Sequence, residues 1–322
     1  MMYSAIKDFA RQFEFKPLIV NQERLKRHKR YVVVGMGGSA LAADVLTSWD
    51  DSLEIVIHKD YGLPNLPENI LKQCLVICNS YSGNTEETLE ALKDGIARGL
   101  DSAVITVNGQ LLNLAAKHKL PYVRLPDTGI QPRSALGFSV LALVKLMALQ
   151  KAERELKQLP SRLNSADLQS KGKQLAKKLK SSIPIIYSSR RNFAIGYNWK
   201  IKFNETGKVP AFYNVLPELN HNEMTGFDVI ASTRKLSRDF GFLFLTDRED
   251  QPKINKRFEV LARLYADRGL QVSQLPLSGK SRFERIFNSL LLADWVSFYT
   301  AEGYGAEAEK VPMVEEFKQL IR

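Results

Sequence analysis

Two short segments of this 322-residue chain carry the residue types that grip an oxyanion. The first is Val32-Val33-Val34-Gly35-Met36-Gly37-Gly38-Ser39-Ala40, an apolar run that passes through glycines into a helical pattern. Glycine lets a backbone approach an anion closely and take positive φ. A helix start offers unpaired N–H groups and a partial positive charge. Ser39 adds a hydroxyl donor. The second segment, Asn79-Ser80-Tyr81-Ser82-Gly83-Asn84-Thr85, follows another apolar run and sets three hydroxyls around a glycine ahead of a helix. One hydroxyl there would read as an ordinary N-cap and turn. Three of them after a buried strand favour anion binding, and strand carboxyl ends are where open α/β sheets bind ligands.

Proton-transfer chemistry needs other residue types. The chain has four histidines. His28 lies in a basic stretch, His118 among lysines and His58 at a strand end, so each reads as a surface residue. His221 alone sits in a polar cluster, with Asn220, Asn222 and Glu223. Histidine is the side chain that titrates near neutrality and can move a proton in either direction. Glu205 follows Asn204 and precedes Gly207, a composition that suggests a helix end opening into a cleft; a solvated surface glutamate is the plain alternative. Arg133 stands between Pro132 and a helix start, where an arginine serves either a site or a helix-start ion pair. No ligand spacing for a metal is present, and Cys74 and Cys78 have no second pair. A dinucleotide fold fits poorly. The glycine loop lacks the third glycine of that fingerprint, neither Glu54 nor Asp60 ends its strand as the fingerprint requires, and a Walker lysine is absent.

The elements that must position these residues alternate along the chain. Strands are expected at 31–34, 54–58, 74–79, 103–107 and 122–125, with helices at 40–48, 85–97, 111–118 and 134–150 between them. The pattern restarts with strands at 183–187, 211–214, 241–245 and 271–275 and helices at 193–204, 253–268, 282–302 and 311–322. Such alternation argues for α/β architecture: two tandem domains, each a parallel sheet flanked by helices on both faces. The expected organisation is a polar helical arm over 1–30, a first domain over 31–151, a charged helical connection over 152–180 and a second domain over 181–322.

Composition narrows the class. Hydrophobic residues make up 44% and charged residues 25%, the balance of a soluble globular protein, and the formal net charge is +11. That charge suits phosphorylated metabolites. Its one dense cluster, Arg24, Lys26, Arg27, Lys29 and Arg30, reads as a solvated face, so no nucleic-acid partner is expected. No apolar stretch reaches the length of a membrane span and the start does not read as a signal peptide, so no membrane partner is expected either. Cys74 and Cys78 would share one strand face about 13 Å apart, too far for a disulfide. A reducing cytoplasm is the simple reading.

The pair Gly37-Gly38-Ser39 and Ser80-Tyr81-Ser82-Gly83-Asn84-Thr85 resembles the sugar isomerase (SIS) domain family, whose corresponding loops hold a sugar phosphate. Pro132-Arg133-Ser134-Ala135-Leu136-Gly137, Phe203-Asn204-Glu205-Thr206-Gly207-Lys208, Pro217-Glu218-Leu219-Asn220-His221-Asn222-Glu223 and Glu315-Glu316-Phe317-Lys318 narrow the likeness to the bifunctional phosphoglucose/phosphomannose isomerases. The resemblance runs from about residue 30 to the end. It implies interconversion of fructose 6-phosphate with glucose 6-phosphate and mannose 6-phosphate through a cis-enediol(ate), without metal or cofactor, in cytoplasmic carbohydrate metabolism.

By the same resemblance, Gly37, Gly38, Ser39, Ser80, Ser82 and Thr85 hold the phosphate and Glu205 is the base. Arg133 stabilises enediolate charge, His221 moves a proton in ring opening, and Lys318 assists ring opening or holds an oxygen. The resemblance also implies a homodimer whose active site is shared between subunits, the histidine coming from the partner. Two segments depart from the family pattern. Asn198-Trp199-Lys200 stands where Arg-x-Lys is usual, and Ala308-Glu309-Lys310-Val311-Pro312 stands where Asp-Pro-Thr-Pro is common; both bear on substrate scope. Two alternatives remain open at this level: another SIS-type isomerase acting on a different sugar phosphate, and a non-catalytic sugar-phosphate-binding regulator. The regulator should carry a helix-turn-helix, for which 1–30 is too short.

Overall fold

The computed structural model describes residues 1–321, which divide into two compact units, Asp8–Leu163 and Met1–Lys7 with the chain from Asn164 onward. In the unit Asp8–Leu163 the strands are β1 (Ile19–Val20), β2 (Arg30–Val34), β3 (Glu54–His58), β4 (Cys74–Asn79), β5 (Ser102–Thr106) and β6 (Tyr122–Arg124). Its principal helices are α1 (Gly38–Trp49), α2 (Glu86–Ala97), α3 (Gly109–Lys117) and α4 (Leu136–Leu146). The strand order is β1-β6-β5-β4-β2-β3. All pairs are parallel except β1 with β6.

The central strands are buried on both faces. Every residue of β4 and of β5 is buried, and Val32, Val33 and Val34 are at most 1% exposed. That is why they read as unbroken apolar runs rather than alternating ones. Each such valine or isoleucine contributes roughly 1.5–3 kcal/mol by leaving water. Helix α4 is buried along ten of its eleven residues, an interior helix apolar on all sides. After β2 the chain adds β3 on one side and then β4, β5 and β6 on the other, so the gap between β2 and β4 is a topological switch point. Val34 lies opposite Cys78, so these two strands end together and present their following loops side by side.

In the other unit the principal elements are α5 (Ser165–Lys178), β7 (Ile183–Ser189), α6 (Phe193–Glu205), β8 (Phe212–Leu216), β9 (Phe240–Thr246), α7 (Pro252–Asp267), β10 (Gln271–Pro276), α8 (Arg282–Gly303) and α9 (Pro312–Leu320). Its four strands are all parallel in the order β10-β9-β7-β8. Tyr187, Phe242, Phe244, Phe258 and Tyr265, each at most 1% exposed, pack as an aromatic core. The ring of Tyr187 stacks on Phe244 with centroids 5.4 Å apart.

Three expectations change. Residues 1–30 are not one polar helix: a helical turn at Met2–Lys7 and a 3-10 turn at Phe9–Glu14 precede β1. Pro17 interrupts any helix, Phe9 and Phe13 are buried, and Ile19-Val20 joins the sheet as an antiparallel edge. The helix expected over 134–150 stops at Leu146 because Ala148 takes φ +53, and a separate helix follows at Gln150–Leu156. The last helix ends at Leu320, and Arg322 lies outside the described residues. Among the described residues no helix is long and apolar enough to cross a membrane. Cys74 and Cys78 are free and buried, and burial pushes the Cys78 thiol up to about 12.

Candidate active site

The switch point joins the two hydroxyl-bearing loops directly. Buried Asn79 donates from Nδ2 to the Ser39 carbonyl at 2.8 Å, and the Tyr81 amide donates to Ser39 Oγ at 3.2 Å. Gly37 takes φ +50 ahead of α1, and no side chain caps that helix. Of its first amides, that of Ser39 donates to the Met36 carbonyl at 3.1 Å, within the glycine loop itself. Ser80 Oγ lies 2.7 Å from Thr85 Oγ1 and accepts from the Gly83 amide at 3.2 Å. Thr85 occupies the N-cap position of α2, yet its hydroxyl does not cap the helix. The loop is thus a hydroxyl turn without a Thr85 cap: Ser80 Oγ accepts from the Gly83 amide and Ser82 Oγ from the Asn84 amide at 3.3 Å. Ser82 is exposed at the loop surface, whereas Ser39 and Ser80 are buried.

Gly83 is required by sterics. It takes φ +70, and a Cβ there would lie 1.7 Å from the Asn108 carbonyl oxygen. Gly38 is needed for a different reason. A Cβ on it would sit 3.0 Å from the Pro132 oxygen and 3.1 Å from the Arg133 Cα. The 3-10 turn Pro132–Ser134 therefore presses against the first loop, and it carries Arg133, only 7% exposed, at the same switch point. The unit Asp8–Leu163 thus brings together Gly37, Gly38, Ser39, Ser80, Ser82, Thr85 and Arg133. Glycine-freed backbone, helix N-termini, hydroxyls and a guanidinium form an arrangement suited to a phosphate ester.

The remaining candidates lie in the other unit. Glu205 is the last residue of α6 and is half-buried. Its helix is anchored by the buried pair Lys202–Asp294 and by Trp199, whose ring N–H donates to Ser289 Oγ at 3.0 Å. Asn198, in the segment that departs from the family pattern, is 2% exposed, and among the described residues its Oδ1 has no hydrogen-bond partner. Beyond the helix, Lys208 holds φ +59 and donates from Nζ to the Glu205 carbonyl at 2.5 Å and to the Lys310 carbonyl. That second bond reaches a residue two positions before α9, the exposed helix that carries Lys318.

His221 is exposed at the end of the 3-10 turn Glu218–His221. Among the described residues neither it nor Lys318 makes a hydrogen bond or ion pair with Glu205. The polar neighbours of His221 are engaged elsewhere. Glu223 accepts from the Tyr187 hydroxyl and from Asn214 Nδ2, both at 2.5 Å, and Asn220 accepts from Arg257 at 3.1 Å. Burial raises the Tyr187 phenol far above its ordinary range, so it serves Glu223 as a permanent donor. The polar residues around His221 thus build the turn that presents the ring.

Residues 168–321 match the model of the bacterial phospho-glucose isomerase C-terminal SIS domain. Along its entire length the chain is 32% identical to a bifunctional phosphoglucose/phosphomannose isomerase of Aquifex aeolicus, covering 98% of that protein. The chain belongs to the bifunctional phosphoglucose/phosphomannose isomerase family. A second member, from Caldicellulosiruptor bescii, is 31% identical over 91% of this chain and 89% of its own length. Among solved structures, a hypothetical protein from Thermus thermophilus superposes with a TM-score of 0.72 at 19% identity, over 99% of this chain and 90% of that one. That likeness shows the shared fold.

Proposed function

We propose that this family member interconverts fructose 6-phosphate with glucose 6-phosphate and mannose 6-phosphate. The observation that carries the reading is the match to the Aquifex enzyme, which spans both units and so includes the phosphate loops together with the Glu205 and His221 segments. In the proposed cycle the phosphate rests on Gly37, Gly38, Ser39, Ser80, Ser82 and Thr85. His221, assisted by Lys318, moves the proton that opens the ring. The Glu205 carboxylate then carries a proton between C1 and C2 on one face of the sugar. Arg133 offsets the charge that builds on the enediolate oxygens, an interaction stronger in the transition state than in the ground state. The planar enediol(ate) has no configuration at C2, so reprotonation there yields either aldose. No step calls for a metal or cofactor.

The test is direct: incubate the protein with fructose 6-phosphate, with and without EDTA, and follow both aldoses. Both products, unchanged by the chelator, are expected. Absence of both would overturn the reading, and chelator inhibition would overturn its metal-free chemistry.

The reading includes a cytoplasmic homodimer in which the histidine serves the other subunit's site, an arrangement supported by the family resemblance. Mixed dimers of Glu205→Gln and His221→Ala chains test it. Random reassortment should then restore about a quarter of the parental sites, since one site of each mixed dimer keeps both residues. No recovery would assign each histidine to its own chain.

A further inference from the structure

We propose that Gln12 is a positioning residue that sets the Arg133 turn against the phosphate loop. Gln12 belongs to the 3-10 turn Phe9–Glu14, far from Arg133 in sequence, and is 5% exposed between buried Phe9 and Phe13. Its Nε2 donates to the Ser134 carbonyl at 2.6 Å, and its Oε1 accepts from the Gly137 amide at 2.9 Å. One planar amide thus clasps the backbone immediately after Arg133 and again in the first turn of α4. The Gly137 amide belongs to that first turn, where no preceding helical turn supplies an acceptor. Gly137 makes the room: a Cβ on it would stand 2.9 Å from both Gln12 Cβ and Gln12 Oε1. On the opposite side the Pro132–Arg133 backbone rests on Gly38, where a Cβ would lie 3.0 Å from the Pro132 oxygen. Arg133 is therefore seated between the phosphate loop and the Gln12 clasp.

Only a side-chain amide of this length meets both bonds. Methionine keeps the bulk and loses donor and acceptor. Glutamate keeps an acceptor but turns an oxygen toward the Ser134 carbonyl, where a donor is needed. Asparagine is one methylene short. Gln12 does not reach a reacting atom. It acts by holding a guanidinium whose transition-state value depends on placement, and a shift of about 1 Å can cost up to a hundredfold.

This inference rests on the proposed role of Arg133, so the test compares the parent, Arg133→Met, Gln12→Met and the double variant on fructose 6-phosphate. Two ligands are added: a hexitol 6-phosphate, which has the phosphate and chain without enediolate charge, and an open-chain aldonate phosphate, whose carboxylate places charge where the enediolate carries it. Gln12→Met should lower kcat about tenfold or more, with KM and hexitol phosphate affinity within about threefold of the parent and aldonate affinity reduced. In the Arg133→Met background the same change should alter kcat by less than about twofold. An unchanged kcat, an equal loss in both backgrounds, or a parallel loss of hexitol phosphate binding would overturn the inference. Should Gln12→Met lack native near-ultraviolet circular dichroism, Gln12→Glu carries the comparison; collapse of both would make Gln12 a determinant of folding and equally overturn it. A parent inactive on fructose 6-phosphate, or an Arg133→Met variant as active as the parent, sinks the functional reading instead.

Discussion

Glu205→Gln is expected to lower kcat for fructose 6-phosphate by at least about a hundredfold, the lower range for loss of a general acid–base group. The substitution preserves size and the hydrogen-bonding outline of the side chain but removes the carboxylate that accepts the proton from carbon. Glu205 closes α6, its carbonyl is held by Lys208, and its helix is anchored through Lys202–Asp294 and Trp199–Ser289. These contacts hold the backbone and the helix, and glutamine keeps the length of the side chain, so the fold should survive, as native near-ultraviolet circular dichroism would check. KM should stay within a few-fold, because the residues proposed to grip the phosphate belong to the other unit. Retained activity in the variant would remove Glu205 from the proton transfer.

Arg133→Met should cost about a hundred- to a thousandfold in kcat, the range seen when one fixed charge-stabilising donor is removed. Arg133 is 7% exposed on a turn whose backbone is seated against Gly38, so it needs little reorganisation as charge develops. Methionine fills comparable space and leaves the switch point without its cation. Arg133→Lys should recover only part of the loss, since an ammonium on a flexible stem lacks the planar fork of arginine. Kinetics of the three proteins check this, and a methionine variant with parental kcat would exclude Arg133 from enediolate stabilisation.

The glycine and hydroxyl loops were legible in the sequence because their residue types cluster locally. Glycines and hydroxyls fall within a few positions of runs such as Val32-Val33-Val34, and a strand buried on both faces reads as apolar throughout. The parallel sheets followed from the same runs alternating with helices. What escaped was non-local. Strand β1 has two residues, too few for any period, and its partner β6 lies about a hundred residues on. Gln12 reads as a polar residue in a polar segment; its burial depends on Ser134 and Gly137, 122 and 125 positions away. Around His221 the residue types were legible but their duties were not. Glu223 read as company for the histidine, whereas it accepts from Tyr187 and Asn214, partners supplied by neighbouring parallel strands. Thr85 read as a possible helix cap, whereas its hydroxyl turns to Ser80 instead, a contact that its neighbours in the sequence do not announce.

The enediol(ate) is the centre of the proposed chemistry, and hydrogen exchange at carbon reports on it without reference to any single residue. Fructose 6-phosphate held with the protein in deuterium oxide and followed by nuclear magnetic resonance should take up deuterium at C1, and both aldose 6-phosphates should carry deuterium at C2. Conversion with complete retention of the original carbon-bound hydrogen in every sugar phosphate, or no conversion at all, would contradict it.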